Sequence, residues 1–403
     1  GRRGVVVAGA GAGPPERVLA LASRLGWPVL ADPRSGCRTD HACVVAAADA
    51  LLRSDEVAAA LRPEVVLMLG APWASKVVGA WVATSAGPAG PPRSAGPAAD
   101  VVAVDPWWRW ADPDRVVATV HRADPGAWLA GALEGLGGAS CGTGPAGGED
   151  AWLGRWQAAE AAAQQALDES LGGELTEPSV ARHLYRLVGE GTTVVVSSSM
   201  PVRDLEWYAP RAARPPRVLA NRGANGIDGV CSTALGVAAA GGGPVVGVVG
   251  DLAFLHDVSS LVAPRPAGDA GGDTDGGAGG DARPGPSPCV LLVVDNGGGG
   301  IFDFLPQAGA LDRPRFERLF GTPVTQDVVR VATGFGCDVA DVADRDGMTS
   351  ALGAALGSAT KCGLPAVVRV RVPDRRANVA VHDRVHRAVA VAATAALGLA
   401  PPA

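Results

Sequence analysis

The chain has 403 residues, 47% of them apolar and 19% charged, which at roughly 150 residues per domain allows two or three domains with sizeable cores. A net charge of −6 and a pI of about 5.6 argue against a protein that grips nucleic acid by neutralising phosphates. Seven scattered cysteines without a Cys-x-x-Cys pair exclude a disulfide scaffold, a zinc ribbon and a thioredoxin-type motif, and predict a reducing, cytoplasmic setting.

In chain order, Val5–Ala8 reads as a buried strand, Glu16–Leu25 as a helix, Pro28–Ala31 as extended and Val57–Leu61 as helical. Val65–Leu69, Val101–Asp105 and Val116–Val120 are further strands. Strands alternating with helices predict a parallel sheet with crossovers, an α/β unit over residues 1–150. Its end, Gly137–Gly148, has the composition of a linker. A long helix is predicted over Ala151–Leu171, and residues 151–403 form a second α/β unit. There Thr176 is a candidate N-cap with Pro178 in the first turn, followed by a helix over 179–188. The strands are Thr192–Val196, Arg217–Ala220, Pro244–Val249, Cys289–Val294 and Ala366–Val372. Helices are predicted at Ser232–Ala240, near 346–357, and from about His382 to the end. The fold class is therefore α/β, with two doubly wound parallel-sheet domains. Residues 264–288, dominated by Gly, Asp, Pro and Ala, have little to bury and predict a disordered surface insertion. No apolar stretch reaches the ~20 residues that span a bilayer, and the start has no signal-peptide pattern.

Several motifs carry less than their letters suggest. Val5–Gly13 joins a strand to a helix through glycines, but Pro14 and Pro15 interrupt the dinucleotide-binding spacing. A tight strand-to-helix turn accounts for it as well as a nucleotide does. Gly138–Gly142 matches Gly-x-Ser-x-Gly without the strand and helix that a nucleophile elbow needs. His382 and His386 share one helix face, but no third ligand accompanies them, and a solvated face is the simpler reading.

Two strand ends are more informative. The strand reaching Val249 ends in Gly250-Asp251, and the one reaching Val294 ends in Asp295-Asn296 before a run of four glycines. Ligands of open α/β sheets bind at the carboxyl ends of the strands. Asp, Asn and a backbone carbonyl make a hard-oxygen set suited to Mg²⁺, which takes few protein ligands and completes its shell with water and phosphate oxygens. Glycine turns let backbone N–H groups approach those phosphates.

This pattern resembles the thiamine diphosphate (ThDP) signature of the decarboxylase and synthase superfamily. The spacer is longer than usual by about the size of the 264–288 insertion. Leu252 stands where the signature has a third Gly, and Asp295 where it has a first Asn. Five ordered blocks resemble a narrower family, the 2-succinyl-5-enolpyruvyl-6-hydroxy-3-cyclohexene-1-carboxylate (SEPHCHC) synthases of menaquinone biosynthesis. They are Ser197–Asp204, Asn221–Gly229, Gly250–Asp257, Gly299–Phe302 and Phe316–Pro323. The resemblance is dense over 176–330 and loose elsewhere.

The resemblance implies ThDP held through Mg²⁺ (or Mn²⁺), with side-chain oxygens from Asp251 and Asn296 and the carbonyl of Gly298. Gly250 and Leu252 flank the cofactor, and Ile227 props it into its bent form. It implies decarboxylation of 2-oxoglutarate and 1,4-addition of the remaining unit to isochorismate. Arg203 and Arg222 correspond to substrate-binding arginines and Ser199 to a hydroxyl near the reacting centre. Ile301 and Phe302 would form an apolar wall, and Lys76 matches a basic substrate-binding residue more weakly. It also implies a homo-oligomer acting on small molecules, with residues 1–150 as the middle domain and 151–403 as the diphosphate-binding domain. The family's N-terminal pyrimidine domain, which supplies an activating glutamate, would precede Gly1. The chain thus reads as a fragment, inactive alone. An acetolactate-synthase-like ThDP enzyme, which needs no Arg203 or Arg222, and a non-enzymatic nucleotide-binding module remain the alternatives.

Overall fold

The structure, a computed structural model, describes residues 1–87, 98–107, 111–137, 150–221, 226–262, 287–357 and 364–400. The candidate insertion, apart from Ser287 and Pro288, and the Gly138–Gly142 motif lie outside the described residues.

The first sheet has strands β1 (Gly4–Ala8), β2 (Val29–Ala31), β3 (Val44–Val45), β4 (Val65–Leu69), β5 (Asp100–Val104) and β6 (Thr119–His121). All pair in parallel, in the order β3-β2-β1-β4-β5-β6. Helices α1 (Pro15–Leu25), α2 (Ala48–Leu52), α3 (Asp55–Ala60), α4 (Lys76–Ala86) and α5 (Pro125–Gly135) cover it. Each start has a local cause. Proline occupies the first turn of α1 and α5, Ser75 caps α4 through the N–H groups of Val77 and Val78, and Asp124 caps α5 through Ala127. The strand expected at Val116–Val120 starts later than its letters suggest. The Asp112 carboxylate accepts from the N–H groups of Val116 and Val117 at 3.0 and 2.9 Å and holds them in a turn.

The second sheet comprises β7 (Thr193–Val196), β8 (Arg217–Ala220), β9 (Val245–Gly250), β10 (Cys289–Asp295), β11 (Val339–Val342) and β12 (Ala366–Arg371). It is also parallel, in the order β11-β12-β10-β9-β7-β8. The central strands β9 and β10 are buried on both faces, which is why they read as unbroken valine and leucine runs. Gly247 in β9 has a packing role: a methyl there would lie 2.9 Å from both Ala234 and Leu291.

Helices α6 (Asp150–Leu171), α7 (Glu177–Leu187), α8 (Met200–Tyr208), α9 (Val230–Ala239) and α10 (Asp251–His256) precede two short turns, α11 (Gln307–Ala310) and α12 (Arg313–Phe316). Then come α13 (Val328–Gly334), α14 (Arg345–Gly357) and α15 (Arg375–Ala396). In α15, Val381, Val385, Val389 and Ala393 form a four-residue stride. They share one apolar cluster with Trp156, Ala159, Ala163 and Leu167 of α6. The helix starts earlier than its letters suggest, because Asp374 caps it through Arg376 N–H. His382 and His386 are not solvated, contrary to expectation. Both bond the buried Tyr208 hydroxyl, at 2.7 and 2.9 Å, and burial pushes the His382 imidazole down to about 3. Among the described residues no helix is long and apolar enough to cross a membrane.

Candidate cofactor and metal site

The neighbours β10, β9, β7 and β8 deliver four consecutive carboxyl ends along one edge of the second sheet. They carry Asp295-Asn296, Gly250-Asp251, Ser197–Ser199 and Asn221. Residues far apart in the chain are thus brought together by sheet order, where open α/β folds bind ligands.

Asp251 is 1% exposed, and its carboxylate holds both turns. Oδ1 accepts from Leu252 N–H at 2.6 Å and Oδ2 from Gly297 N–H at 2.8 Å. Burial raises this carboxyl to about 7, and nearby Asp295 adds to the rise, while the two backbone N–H donors pull the other way. Asn296 Oδ1 accepts from Gly298 N–H at 3.1 Å, and its Nδ2 donates to Glu177 Oε1 at 2.7 Å. Gly298 has φ +141°, and a methyl on it would lie 2.6 Å from the Thr322 carbonyl oxygen. Its glycine is therefore required both by the backbone and by the 321–323 segment that pairs with it. The donor set, a carboxylate and an amide oxygen on one loop pair beside a glycine carbonyl, suits a hard divalent cation. A methyl added at Gly250 or Gly297 would meet nothing within 4 Å, so both turns face open space that a diphosphate can enter.

Helix α8 starts at this edge. Ser199 occupies its N-cap position without a side-chain capping bond. Arg203 folds back, with Nη1 donating to the carbonyls of Ser198 and Ser199 at 2.9 and 2.7 Å. Ile227 is partly buried against the apolar cluster that includes Phe254 and the β9 and β10 residues Val249 and Val293. Ile301 packs in the cluster under α15, whereas Phe302 meets Phe320 with ring centroids 6.2 Å apart. Lys76 is exposed at the first position of α4. The turn that leads into α4 bonds to α8: Glu206 accepts from Ala74 and Ser75 N–H at 2.8 and 2.7 Å. Arg222 lies outside the described residues.

Sequence reasoning missed Glu177, the buried partner of Asn296. Its Thr176-Glu-Pro-Ser context was legible as a helix start, and the capping box of Thr176 with Ser179 bears that out. Nothing local indicated which group 119 residues away the carboxylate would meet. It also missed the ion cluster that fastens the loop carrying Ile301: Arg375 bonds Asp303 at 3.0 Å and also bonds Glu317.

The family describing the middle domain of thiamine pyrophosphate enzymes matches residues 1–89. SEPHCHC synthase of Myxococcus xanthus is 36% identical over 388 residues, 95% of this chain and 58% of the relative. That of Sorangium cellulosum is 35% identical over 396 residues, 96% and 58%, and that of Bacillus velezensis 34% over 340 residues, 83% and 52%. The chain thus spans about half the length of the curated relatives it matches. Across most of its own length, the chain is similar to the 2-succinyl-5-enolpyruvyl-6-hydroxy-3-cyclohexene-1-carboxylate synthases, and its first 89 residues match the middle domain of thiamine pyrophosphate enzymes.

Proposed function

We propose that the chain provides the cation- and diphosphate-holding part of a ThDP-dependent synthase of menaquinone biosynthesis. The reaction is decarboxylation of 2-oxoglutarate and 1,4-addition of the remaining four-carbon unit to isochorismate, giving SEPHCHC and CO₂. The observation that carries this reading is the pairing of Asp251 with the Asn296-Gly297-Gly298 turn across neighbouring strand ends. Asp251, Asn296 and the Gly298 carbonyl would hold Mg²⁺ or Mn²⁺, and the open turns at Gly250 and Gly297 would admit the diphosphate. When bound, ThDP supplies the electron sink for loss of CO₂.

The chain's own residues do the rest. Arg203, with Arg222, binds the substrate carboxylates as a fork-shaped donor. Ser199 places a hydroxyl at the start of the same helix, and Lys76 adds a cation from the neighbouring α4. Ile227 supports the cofactor from below, and Ile301 and Phe302 keep water from the reacting carbon. The active form is proposed as a homo-oligomer, in keeping with the exposed Leu305 and Leu319.

The test is CO₂ release from 2-oxoglutarate by the full-length protein with Mg²⁺ and ThDP. Asp251→Ala should abolish it. Arg203→Met should raise the KM for 2-oxoglutarate at least tenfold with ThDP affinity unchanged. Pyruvate turned over as well as 2-oxoglutarate, and unaffected by Arg203→Met, would replace this reading with an acetolactate-synthase-like one.

A further inference from the structure

Glu177 is a buried carboxylate, 6% exposed, in the first turn of α7. Its Oε1 accepts from a neutral amide, Asn296 Nδ2, at 2.7 Å, and no cation forms an ion pair with it among the described residues. Removing a carboxylate from water costs several kcal/mol unless something compensates, so its retention here needs a reason. The surroundings hold it firmly. The capping box of Thr176 and Ser179 sets the start of α7, and Arg182, one turn further on, donates to Asp168 Oδ1 and to the Tyr208 carbonyl, both at 2.8 Å. A small cavity lined by Glu177, Asp204 and the ends of β7, β9 and β10 lies against it. The carboxylate thus sits beneath the strand ends, on a rigid helix.

An asparagine amide has two faces of opposite character, and a half-turn exchanges them. A cation needs the oxygen. When ionised, Glu177 only accepts, so it selects the rotamer with Nδ2 towards α7, as observed, and Oδ1 towards the Gly298 turn, where it already receives Gly298 N–H at 3.1 Å. The flipped amide would set two acceptors against each other. We propose that Glu177 is a positioning residue, whose acceptor oxygen fixes the Asn296 amide with Oδ1 facing the cation; this rests on the reading of Asp251, Asn296 and Gly298 as the cation site. Partners of this kind that orient metal ligands change metal affinity by ~10–100-fold when removed.

The experiment titrates Mn²⁺ into the full chain with excess ThDP and reads free Mn²⁺ by electron paramagnetic resonance, with circular dichroism as the folding control. Glu177→Met fills the same volume without an acceptor and should weaken Mn²⁺ binding by about 10–100-fold. Glu177→Gln keeps an acceptor oxygen and should stay within about threefold of the unsubstituted chain. A second pair of variants does not depend on Glu177→Met folding. Asn296→Asp sets two carboxylates face to face and weakens binding; adding Glu177→Gln supplies a donor and should restore it, although it removes a negative charge. If the unsubstituted chain binds no Mn²⁺, the cation-site reading falls and the positioning role with it. If it binds but Glu177→Met leaves affinity unchanged, or Glu177→Gln weakens it as much, or the double variant binds no better than Asn296→Asp, the positioning role alone is overturned.

Discussion

Arg38 joins the two sheet units without any exposure to solvent. Its guanidinium donates to backbone carbonyls: Nε and Nη2 to Ala31 at 2.9 and 2.7 Å, Nη2 to Glu206 at 2.9 Å, and Nη1 to Ala209 at 2.7 Å and Leu205 at 3.4 Å. Leu205, Glu206 and Ala209 are the last carbonyls of α8, where the helix dipole favours a cation. Replacing Arg38 with Met keeps the volume but strands these acceptors in a dry interface. A buried acceptor left unpaired costs about 1–3 kcal/mol, so stranding several of them costs several kcal/mol, a large share of the ~5–15 kcal/mol that holds a domain folded. At ~2–4 °C per kcal/mol for units of ~150–250 residues, Tm should fall by roughly 10 °C. Because the residue bridges the units, the loss should also separate their transitions in calorimetry. A single transition within ~1 kcal/mol of the unsubstituted chain, the range of one ordinary hydrogen bond, would refute the assignment of Arg38 as an inter-unit clamp.

Glu206, whose backbone carbonyl receives Arg38, points its carboxylate at Ala74 and Ser75 N–H, and burial raises that carboxyl from 4.5 to about 8; Asp32 and Asp49 add to the rise, while Ala74 N–H and Arg34 oppose it. A raised acid binds its proton more tightly folded than unfolded, so stability falls as pH climbs from about 5 to about 8, by at most ~1.4 kcal/mol per pH unit. Glu206→Gln should be the less stable protein at pH 5 and should gain on the unsubstituted chain up to pH 8, as urea unfolding across that range will report. Gly298→Ala should lower stability by about 1–3 kcal/mol, the cost of holding a side chain in a sparsely populated backbone region, and more if the Thr322 carbonyl cannot retreat; a thermal melt without ligand checks it. Mg²⁺ with ThDP at about 100 times the Kd should stabilise the full-length protein by ~2.7 kcal/mol, and Asp251→Asn should erase that gain; a ligand-induced Tm shift that survives the substitution would place the cation elsewhere.

The parts of this fold that were legible are those where burial leaves a direct mark on the letters. Strands β4 and β8 fall where their apolar runs place them, and β9 and β10 extend one residue further, to the Gly and Asp at their ends. Strands of a parallel sheet need apolar side chains on both faces, so the run is continuous and its end is sharp. The ends then placed Asp251 and Asn296 at one edge before any contact was known. What stayed hidden depends on groups that meet across the fold. Polar letters at His382 and His386 look like a solvated face, yet Trp207 and Tyr208 cover them; the ring centroids of Trp207 and His382 are 5.7 Å apart. Arg375 and Asn378 look like a solvent-facing start for α15, yet Arg375 is buried among Asp303 and Glu317. A pattern of apolar letters cannot report the burial of a polar group whose partner lies elsewhere in the chain.

Asp295, standing where the ThDP signature has asparagine, shows how the fold absorbs such a departure. A second carboxylate beside Asp251 would load the site with charge that a single divalent cation does not need. The register of the sheet resolves this. Asp295 is the last residue of β10 and pairs with Arg371 of β12, while Arg369, two residues earlier on that strand, turns its Nε to Asp295 Oδ2 at 2.6 Å. Arg369 also reaches Asp341 of β11 at 3.5 Å, and Asp341 in turn binds Arg371. One oxygen of the extra acid is thereby neutralised within an alternating row of charges along the sheet edge, while its Oδ1 stays at the turn and shares Gly297 N–H with Asp251, at 3.3 Å. The substitution therefore changes the electrostatic support of the edge, and under the proposed cation reading Asp251, Asn296 and the Gly298 carbonyl remain the donors, with the Arg369 guanidinium offsetting the added charge.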